Sequence, residues 1–401
     1  MGKNFIVTAQ TNSQHMVQLN GTTSEQAAHL VQGLPPQEVI SERLHFIIAC
    51  GGTGGHLFPG LAVAEVLHQR GHHVLLLVSE KEIDAVALRD HPEFRIEKLP
   101  SIGMPSLLSP AFIPFARRAW ESFSHCRQLY RRYRPAAVLG MGGFTSAVPI
   151  LAAHCLGIPS YIHESNAIAG RANKLTARWV SKVLLGFKAC AASFPGRVVQ
   201  VVGTPVRRDL GERMPREEAL AAFKLSPDRQ TLLVMGGSQG AGKINQLLFR
   251  SATYLKELPL QIIHLTGERD DDLAAVNYQR EGVNAHVASF HHRMNEAYSA
   301  ADLVISRAGA ASLSEISHFG LPSILIPFPF AAERHQHHNA AIFQQAGASE
   351  LLEESEITPE GLVRLITNLL GDERRRERMS AAAIGLLPQH AAEAVADVLL
   401  G

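Results

Sequence analysis

From His45 onward, short runs rich in leucine and β-branched residues alternate with longer stretches of helical periodicity. The run His45–Cys50 is followed by a helical stretch that ends near Arg70, and His73–Val78 is the next apolar run. Buried strands that alternate with helices are typical of parallel sheets covered by helices on both faces. The pattern therefore predicts an α/β protein.

The same local pattern occurs twice along the chain. Leu44–Cys50 leads into Gly51-Gly-Thr-Gly-Gly, and Thr231–Met235 leads into Gly236-Gly-Ser-Gln-Gly. A buried strand followed by a glycine loop and a helix is how doubly wound domains begin. We therefore expect two Rossmann-like domains that face each other across a cleft, where ligands would bind beyond the carboxyl ends of the strands.

The domain boundaries follow from these repeats. We expect a flexible, polar N-terminal extension over residues 1–43 and a first Rossmann-like domain over 44–203. A linker over 204–229 would lead to the second Rossmann-like domain, over 230–385. The last stretch, 386–401, has the pattern of an amphipathic helix that could pack against either domain.

Composition is consistent with this plan and excludes several classes of protein. The chain has 401 residues, 46% of them apolar, which is enough for two cores. A net charge of +1 provides no global basic field, so we expect no nucleic-acid partner. The four cysteines lack metal-ligand spacing, no apolar stretch is long enough to cross a bilayer, and no signal peptide is present, which indicates a cytoplasmic, reduced protein.

Glycine loops between strand and helix expose backbone N–H groups to an anion, but they also simply form tight turns. Two specific nucleotide motifs are incomplete here. Gly237-Ser-Gln-Gly-Ala-Gly-Lys243 resembles a P-loop, yet Ile244 occupies the position of the Ser or Thr that binds magnesium. A dinucleotide fingerprint would need glycine at position 57, which is leucine. An NTPase therefore stays an alternative, and a dehydrogenase is not expected.

Two side chains beside these loops could carry chemistry. His56 lies at the start of the first helix, where it could act as a general base or simply pack or cap. Glu315 follows the turn Arg307–Ala310 and could accept the two hydroxyls of a ribose or face solvent. Amides of 310–312 would meet a pyrophosphate.

Two metal motifs are weak. Asp270–Asp272 resembles the Asp-x-Asp of metal-dependent transferases, but it begins a helix, where acids complement the dipole. His335–His338 lacks a second pair of ligands with suitable spacing. We therefore expect no metal site and no cofactor.

Taken together, the motifs resemble those of the MurG family of peptidoglycan glycosyltransferases, from about Leu44 to near the C-terminus. The motifs that carry the resemblance are Gly51-Gly-Thr-Gly-Gly-His56 with Phe58-Pro59, Gly140-Met-Gly-Gly-Phe144, His163-Glu-Ser-Asn166 with Ala169-Gly170, Gly203-Thr-Pro-Val-Arg207, Gly236-Gly-Ser-Gln-Gly240 with Asn245, Arg307-Ala-Gly-Ala with Ser314-Glu315, Gly320-Leu-Pro322, and His335-Gln336 with Asn339-Ala340. Ser165, where the family pattern has Gln, and His291, at a position that is usually apolar beside the uracil, depart from it.

The resemblance implies a glycosyltransferase-B fold and transfer of N-acetylglucosamine from UDP-N-acetylglucosamine to a lipid-linked muramyl-peptide acceptor, with inversion. The first domain would bind the acceptor and the second the donor. His56, or Glu164 beside it, would be the catalytic base. The residues implied to bind substrate are Thr53, Gly54, Gly55, Asn166, Arg207, Ser238, Ala310, Ala311, Ser312, Leu313, Ser314, Glu315 and Gln336.

Two other functions stay open beside the NTPase. An epimerase of similar architecture would use the same UDP-sugar without a lipid acceptor. A non-catalytic subunit that binds a nucleotide-sugar would dock on a membrane partner, although the presence of both glycine-loop domains in one chain disfavours it.

A membrane-bound acceptor also needs a docking surface. The apolar stretch from Ile102 to Phe115 contains three prolines and is followed by arginines. Those arginines are Arg117, Arg118, Arg127, Arg131, Arg132 and Arg134. Apolar residues rimmed by arginine are typical of a shallow anchor on an anionic membrane, although a core segment beside a solvated helix face has the same composition. We therefore expect peripheral attachment to the cytoplasmic face of the inner membrane.

Overall fold

A computed structural model of the chain describes residues 43–51, 54–80, 91–100, 110, 112–236 and 241–401. Two of the expected substrate-binding residues, Thr53 and Ser238, lie outside the described residues. So do nearly all of the N-terminal extension and the part of the apolar stretch that runs from Ile102 to Ser109.

The described residues form two wholly parallel sheets, of seven and six strands. The strands of the first sheet are β1 His45–Ala49, β2 His73–Ser79, β3 Arg95–Leu99, β4 Ala137–Gly140, β5 Ser160–Glu164, β6 Lys182–Leu185 and β7 Val199–Val201. The strands of the second are β8 Gln230–Met235, β9 Leu260–Leu265, β10 Ala285–Ala288, β11 Leu303–Ser306, β12 Ser323–Leu325 and β13 Ser349–Leu351.

Helices connect the strands. Those in the first part of the chain are α1 Gly54–Gln69, α2 Phe112–Tyr133, α3 Gly143–Cys155 and α4 Arg171–Thr176. They are followed by α5 Arg216–Ala222, α6 Gly242–Leu255, α7 Asp271–Glu281, α8 Met294–Ala300, α9 Ala310–His318, α10 His335–Gln345, α11 Pro359–Gly371, α12 Glu373–Ile384 and α13 Ala391–Leu400. Short 3₁₀ turns lie at Lys188–Ser193, Arg208–Leu210 and Ala332–Arg334. Below, each sheet with its helices is called a half of the molecule.

The alternation of side chains along β1 explains why helices cover both faces of the first sheet. Phe46 and Ile48 are buried with Leu61 of α1 on one face. Ile47 is buried on the other face with Tyr130 of α2. Since successive residues of a strand point to opposite faces, a continuous apolar strand needs a helix on each side. The two-sided burial predicted from the sequence is therefore confirmed.

The strand orders place the glycine loops at the centre of each half. They are β3-β2-β1-β4-β5-β6-β7 and β10-β9-β8-β11-β12-β13, so the order reverses between β1 and β4 and again between β8 and β11. Ala49 pairs with Gly140 at the first reversal, and Met235 pairs with Ser306 at the second. Loops that leave such neighbouring strands diverge and open a crevice for ligands. The predicted doubly wound architecture is confirmed, with one crevice in each half.

The C-terminal helix returns to the first half. Val395 and Leu399 of α13 are buried in the core that contains α1. The chain also passes close to itself at Gly203, where φ is +84° and an added Cβ would lie 2.7 Å from the carbonyl oxygen of Pro388. Only glycine fits this crossing, because both the conformation and the space exclude a side chain. The limits expected for the linker and for the two domains stay predictions.

The two halves are joined by a buried amide. Asn339 of α10 is fully buried, and its Oδ1 accepts a hydrogen bond of 2.8 Å from the N–H of Ala167 in the first half. Its Nδ2 donates to Oδ1 of Asn166 at 3.1 Å and to the carbonyl oxygen of Ala308 at 3.1 Å. One side chain therefore connects the loop after β5 to the segment after β11.

Replacing this amide should destabilise the protein. Asn339→Ala leaves the N–H of Ala167 and the carbonyl of Ala308 without a protein partner, and such buried groups cost about 1–3 kcal/mol each. We expect the free energy of unfolding to fall by about 2–4 kcal/mol, measured by urea unfolding. Gln344→Ala, at an exposed position of the same helix, is the control and should change it by less than about 0.5 kcal/mol. If the two variants unfold with the same free energy, the Asn339 side chain does not stabilise the contact between the halves.

Candidate active site

His56 lies in the crevice of the first half. It is half-buried in the first turn of α1, and its ring contacts the backbone of Gly142 and Gly143 after β4. A Cβ added to Gly142 would lie 3.1 Å from Nε2 of His56, and one added to Gly143 would lie 3.3 Å from Cε1. Both glycines have positive φ, +106° and +71°. The predicted base therefore lies between the two strands at which the order of the sheet reverses.

Glu164, the alternative base, ends β5 and is buried. Its Oε1 accepts hydrogen bonds from the backbone N–H and the side-chain Nδ2 of Asn166, at 3.0 and 3.1 Å. Its Oε2 accepts from the N–H of Gly170 and from Nδ2 of Asn173, both at 2.9 Å. The carboxylate thus holds the loop between β5 and α4 from the inside. Asn173 extends this support toward the same glycine, Gly142, that His56 contacts.

A buried histidine, His163, stabilises the loop between β5 and α4 from inside the protein. Nε2 of His163 lies 2.8 Å from the carbonyl oxygen of Gly203, and its Nδ1 lies 3.2 Å from Oγ of Ser165. Burial lowers the pKa of His163, so the ring is neutral. Nε2–H then donates to Gly203, and the Ser165 hydroxyl donates to Nδ1. The serine that departs from the family pattern therefore has a structural partner, which no local sequence pattern indicated.

In the second half, Glu315 lies on α9 with 15% of its side chain exposed. The hydroxyl of buried Tyr298 donates a 2.6 Å hydrogen bond to its Oε2, and Nε of Arg207 lies 4.0 Å from its Oε1. Burial raises the pKa of Glu315, and Arg207 and Tyr298 partly oppose that shift. The guanidinium of Arg207 also lies 5.0 Å from the ring centre of Phe58 on α1. Arg207 therefore contacts both halves.

The start of α9 supplies backbone amides. Gly309 precedes the helix in an extended conformation, and Ala310, Ala311 and Ser312 form its first turn. The side chain of Leu313 is fully buried in the core, and its N–H donates to the carbonyl of Gly309 at 2.9 Å. Of the expected residues in this segment, only the first three therefore present amides that the helix itself does not use. Ser314 is buried as well.

Gln336 lies at the start of α10, where its Oε1 accepts a 2.9 Å hydrogen bond from the N–H of Phe328. The preceding residues Glu333 and Arg334 both have left-handed backbones, with φ of +50° and +53°. Glu333 pairs with two cations of the first half, Nε of Arg171 at 3.1 Å and Nζ of Lys174 at 3.4 Å. A strained turn and an ion pair between the halves thus adjoin Gln336.

The predicted glycines of the first loop, Gly54 and Gly55, begin α1, the first buried and the second exposed. Asp271 and Asp272 lie in the first turn of α7, as their sequence predicted. His291 contacts Oε2 of Glu296 at 2.9 Å and packs 4.8 Å from the ring of Phe223.

A buried network that the sequence reasoning missed supports the second crevice. Nδ1 of His264 lies 2.9 Å from the hydroxyl of Tyr278, and its Nε2 lies 3.1 Å from Oδ1 of Asn245. Asn245 in turn donates to Oδ2 of Asp270 at 2.7 Å and to the carbonyl of Thr266 at 2.9 Å. Burial lowers the pKa of His264 to about 3, so its imidazole ring is uncharged at neutral pH. It ties α6, which follows the second glycine loop, to β9 and the start of α7.

Family comparisons agree with this arrangement. Residues 46–185 match the glycosyltransferase family 28 N-terminal domain, and residues 231–398 match the corresponding C-terminal domain. Curated transferases from two bacteria share 35–36% identity with the chain. The one from Halothermothrix orenii covers 85% of this chain and 94% of its own length, and the one from Saccharophagus degradans covers 94% and 96%.

Among solved structures, that of Acinetobacter baumannii MurG superposes with a TM-score of 0.71 at 28% identity, covering 89% of this chain and 99% of its own. The curated relatives are named UDP-N-acetylglucosamine–N-acetylmuramyl-(pentapeptide) pyrophosphoryl-undecaprenol N-acetylglucosamine transferases. The two doubly wound sheets and these likenesses together show that the chain belongs to the MurG family of glycosyltransferases.

Proposed function

We propose that the chain transfers N-acetylglucosamine from UDP-N-acetylglucosamine to the C4 hydroxyl of a lipid-linked N-acetylmuramyl-peptide, with inversion. The observation that carries this proposal is the position of Arg207, which contacts Glu315 in the second crevice and Phe58 beside the first. A donor bound near Glu315 would therefore have its diphosphate next to the helix that carries His56. The names and extent of the relatives support the same reaction.

The second half would bind the donor. Glu315, held by Tyr298, would accept the two ribose hydroxyls. Arg207 and the free amides at the start of α9 would bind the diphosphate, together with Ser238. Nε2 of Gln336 has no hydrogen-bond partner among the described residues, so this group would donate to the sugar hydroxyls.

The first half would supply the acceptor side of the reaction. His56 would remove the proton of the acceptor hydroxyl as its oxygen attacks the anomeric carbon and the bond to UDP breaks. Glu164 already accepts four hydrogen bonds from its own loop, so we assign it to positioning that loop. Asn166 would face the donor from this loop, and Thr53, Gly54 and Gly55 would line the sugar and diphosphate. Arg207 would stabilise the charge that develops on UDP.

Helix α2 would attach the enzyme to the membrane. One stripe of this helix contains Ile113, Arg117 and Trp120, at spacings of four and three residues, and Arg131 eleven residues further on, and all four are exposed. Ile113 is 77% exposed and Trp120 is 67% exposed. Large apolar residues flanked by arginine on an exposed helix face suit the surface of an anionic bilayer. No helix within the described ranges is long and apolar enough to cross a bilayer.

Donor binding should depend on Glu315. In Glu315→Gln one acceptor oxygen becomes a donor, and hydrogen bonds to charged groups contribute about 1.5–3 kcal/mol, so the Kd for UDP should rise about 10- to 100-fold. Calorimetry of UDP with the purified variant measures this change. Glu373→Gln, an exposed glutamate of α12, should leave the Kd unchanged. An unchanged Kd in Glu315→Gln would refute the ribose assignment.

Glu315 should also make stability depend on pH. Because its pKa is raised in the folded state, the folded protein binds this proton more tightly than the unfolded chain does. Stability contributed by this group is therefore present at low pH and falls as pH rises through the interval between the unfolded and folded pKa values. In Glu315→Gln this fall should disappear, so the Tm of the variant relative to wild type should increase from pH 4 to pH 8. A Tm difference that does not change with pH would contradict this.

Catalysis should depend on His56 in the chemical step. A general base contributes about 10²–10⁴-fold, so His56→Ala should lower kcat by that range and leave the donor KM nearly unchanged. Glu164→Gln is the comparison: it should lower the Tm as well as the activity, because the carboxylate holds Gly170 and Asn173. A His56→Ala enzyme with full kcat would exclude His56 as the base.

Membrane binding should depend on the arginines of α2. Each contributes about 1 kcal/mol near an anionic surface, so changing Arg117, Arg118 and Arg131 to Glu should remove most sedimentation with vesicles of anionic lipid while UDP still binds. Arg374→Glu with Arg378→Glu, at exposed positions of α12, is the control. Binding that is insensitive to salt, or unaffected by the triple change, would exclude this surface.

A further inference from the structure

A basic pocket lies in the first half, outside both crevices. It encloses about 290 Å³ between α4 and the 3₁₀ turn at Lys188–Ser193. Three cations, Lys174, Arg178 and Arg197, line it together with Ser193, and no carboxylate is part of the lining. Phe194 and Pro195 supply apolar surface. This combination suits an anionic group attached to a small apolar one.

Two of the three cations of the pocket have no acidic partner within the part of the chain that the structure describes. Among the residues that the structure describes, neither Arg178 nor Arg197 has a carboxylate oxygen within 4.0 Å. Nε of Arg178 donates a 3.0 Å hydrogen bond to the carbonyl of Leu175, which orients the guanidinium and leaves its outer nitrogens for a ligand. Lys174 is shared with Glu333, at 3.4 Å.

The pocket is within reach of the expected reaction centre. Asn173 and His56 both lie against Gly142, since a Cβ there would be 3.4 Å from Nδ2 of Asn173 and 3.1 Å from Nε2 of His56. Arg178 follows Asn173 by five residues, most of them helical, which corresponds to about 8 Å along the helix axis. A pentapeptide in extended conformation spans about 17 Å. A peptide attached to an acceptor sugar beside His56 could therefore place its end in the pocket.

We propose that this pocket binds a carboxylate of the acceptor's peptide, with Arg178 and Arg197 as its ligands. The proposal rests on the proposed function, because it needs an acceptor that carries a peptide. Every unmodified peptide ends in a carboxylate, and the planar fork of an arginine matches that group with two parallel hydrogen bonds. The side chain next to the carboxylate would pack on Phe194 and Pro195.

Steady-state kinetics with two acceptors that differ only in charge tests the proposal. One is a short-chain lipid-linked muramyl-pentapeptide with free carboxylates, and the other has every carboxylate converted to an amide. Wild type should show an acceptor KM about tenfold lower for the charged acceptor, because exposed arginines give only part of a buried ion pair's effect. In Arg178→Gln with Arg197→Gln this ratio should fall to about one, with kcat and the donor KM unchanged.

Arg171→Gln is the matched control. Arg171 begins α4, seven residues before Arg178, and pairs with Glu333, but it does not line the pocket. Its replacement removes a positive charge beside the pocket but none from its lining, so the ratio of the two KM values should stay as in wild type. Equal loss of discrimination in Arg171→Gln would show that net charge alone is responsible and would overturn the proposal.

Binding of the free pentapeptide separates this proposal from the proposed function. Calorimetry should detect the peptide with free carboxylates on wild type, and not its amide or the double variant, whether or not transfer occurs. If wild type transfers no sugar to either acceptor, the proposed function is refuted, but the calorimetric result on peptide binding still stands. The pocket assignment would be overturned if wild type bound the acid and the amide equally well. It would also be overturned if the double variant were impaired only in binding to vesicles.

Discussion

The geometry of the cleft depends on one buried amide, Asn339. Its oxygen and nitrogen connect Ala167 of the first half to Ala308 of the second, and its nitrogen also reaches Asn166. Asn166 is bound in turn to Glu164, so a continuous chain of hydrogen bonds runs from the first crevice to the segment after β11. An amide is needed because the two sides present an N–H and two oxygens, which neither a carboxylate nor an apolar side chain can satisfy. These hydrogen bonds thereby hold the loop after β5 beside the segment after β11 from inside the protein.

The candidate site also contains features that cost stability. Glu315 is a carboxylate whose burial raises its pKa, and one phenol and one distant guanidinium only partly compensate. Glu333 and Arg334 hold left-handed backbones immediately before Gln336. Such groups persist when the surrounding structure holds them in place, and they concentrate where ligands bind. The polar networks around His163 and His264 differ from these groups, because all of their ring nitrogens are hydrogen-bonded within the protein.

The sequence was sufficient for the fold because local signals determine it. The sequence of a buried strand, a glycine loop and a helix occurs twice. Each occurrence begins at a central strand of its sheet, β1 or β8, and a crevice opens beside that strand. It was insufficient for the roles of polar residues whose partners lie far along the chain. Asn339 contacts Ala167, 172 residues earlier, and no period or spacing encodes that contact. Leu313 illustrates a second limit: a contiguous motif does not tell which of its side chains the helix turns into the core, as it does here.

The six-residue helix α4 adjoins the proposed catalytic base, the ion pair between the halves and the proposed peptide-binding pocket. Asn173 points toward Gly142 and the ring of His56, whereas the next residue, Lys174, lies between Glu333 and the basic pocket. Successive residues of a helix point about 100° apart, so neighbours in sequence can serve two different sites. Lys174 could also reach a carboxylate bound in the pocket, and Arg171 would then still pair with Glu333 at 3.1 Å. The same lysine therefore belongs both to the pocket proposed for the peptide and to the contact between the halves.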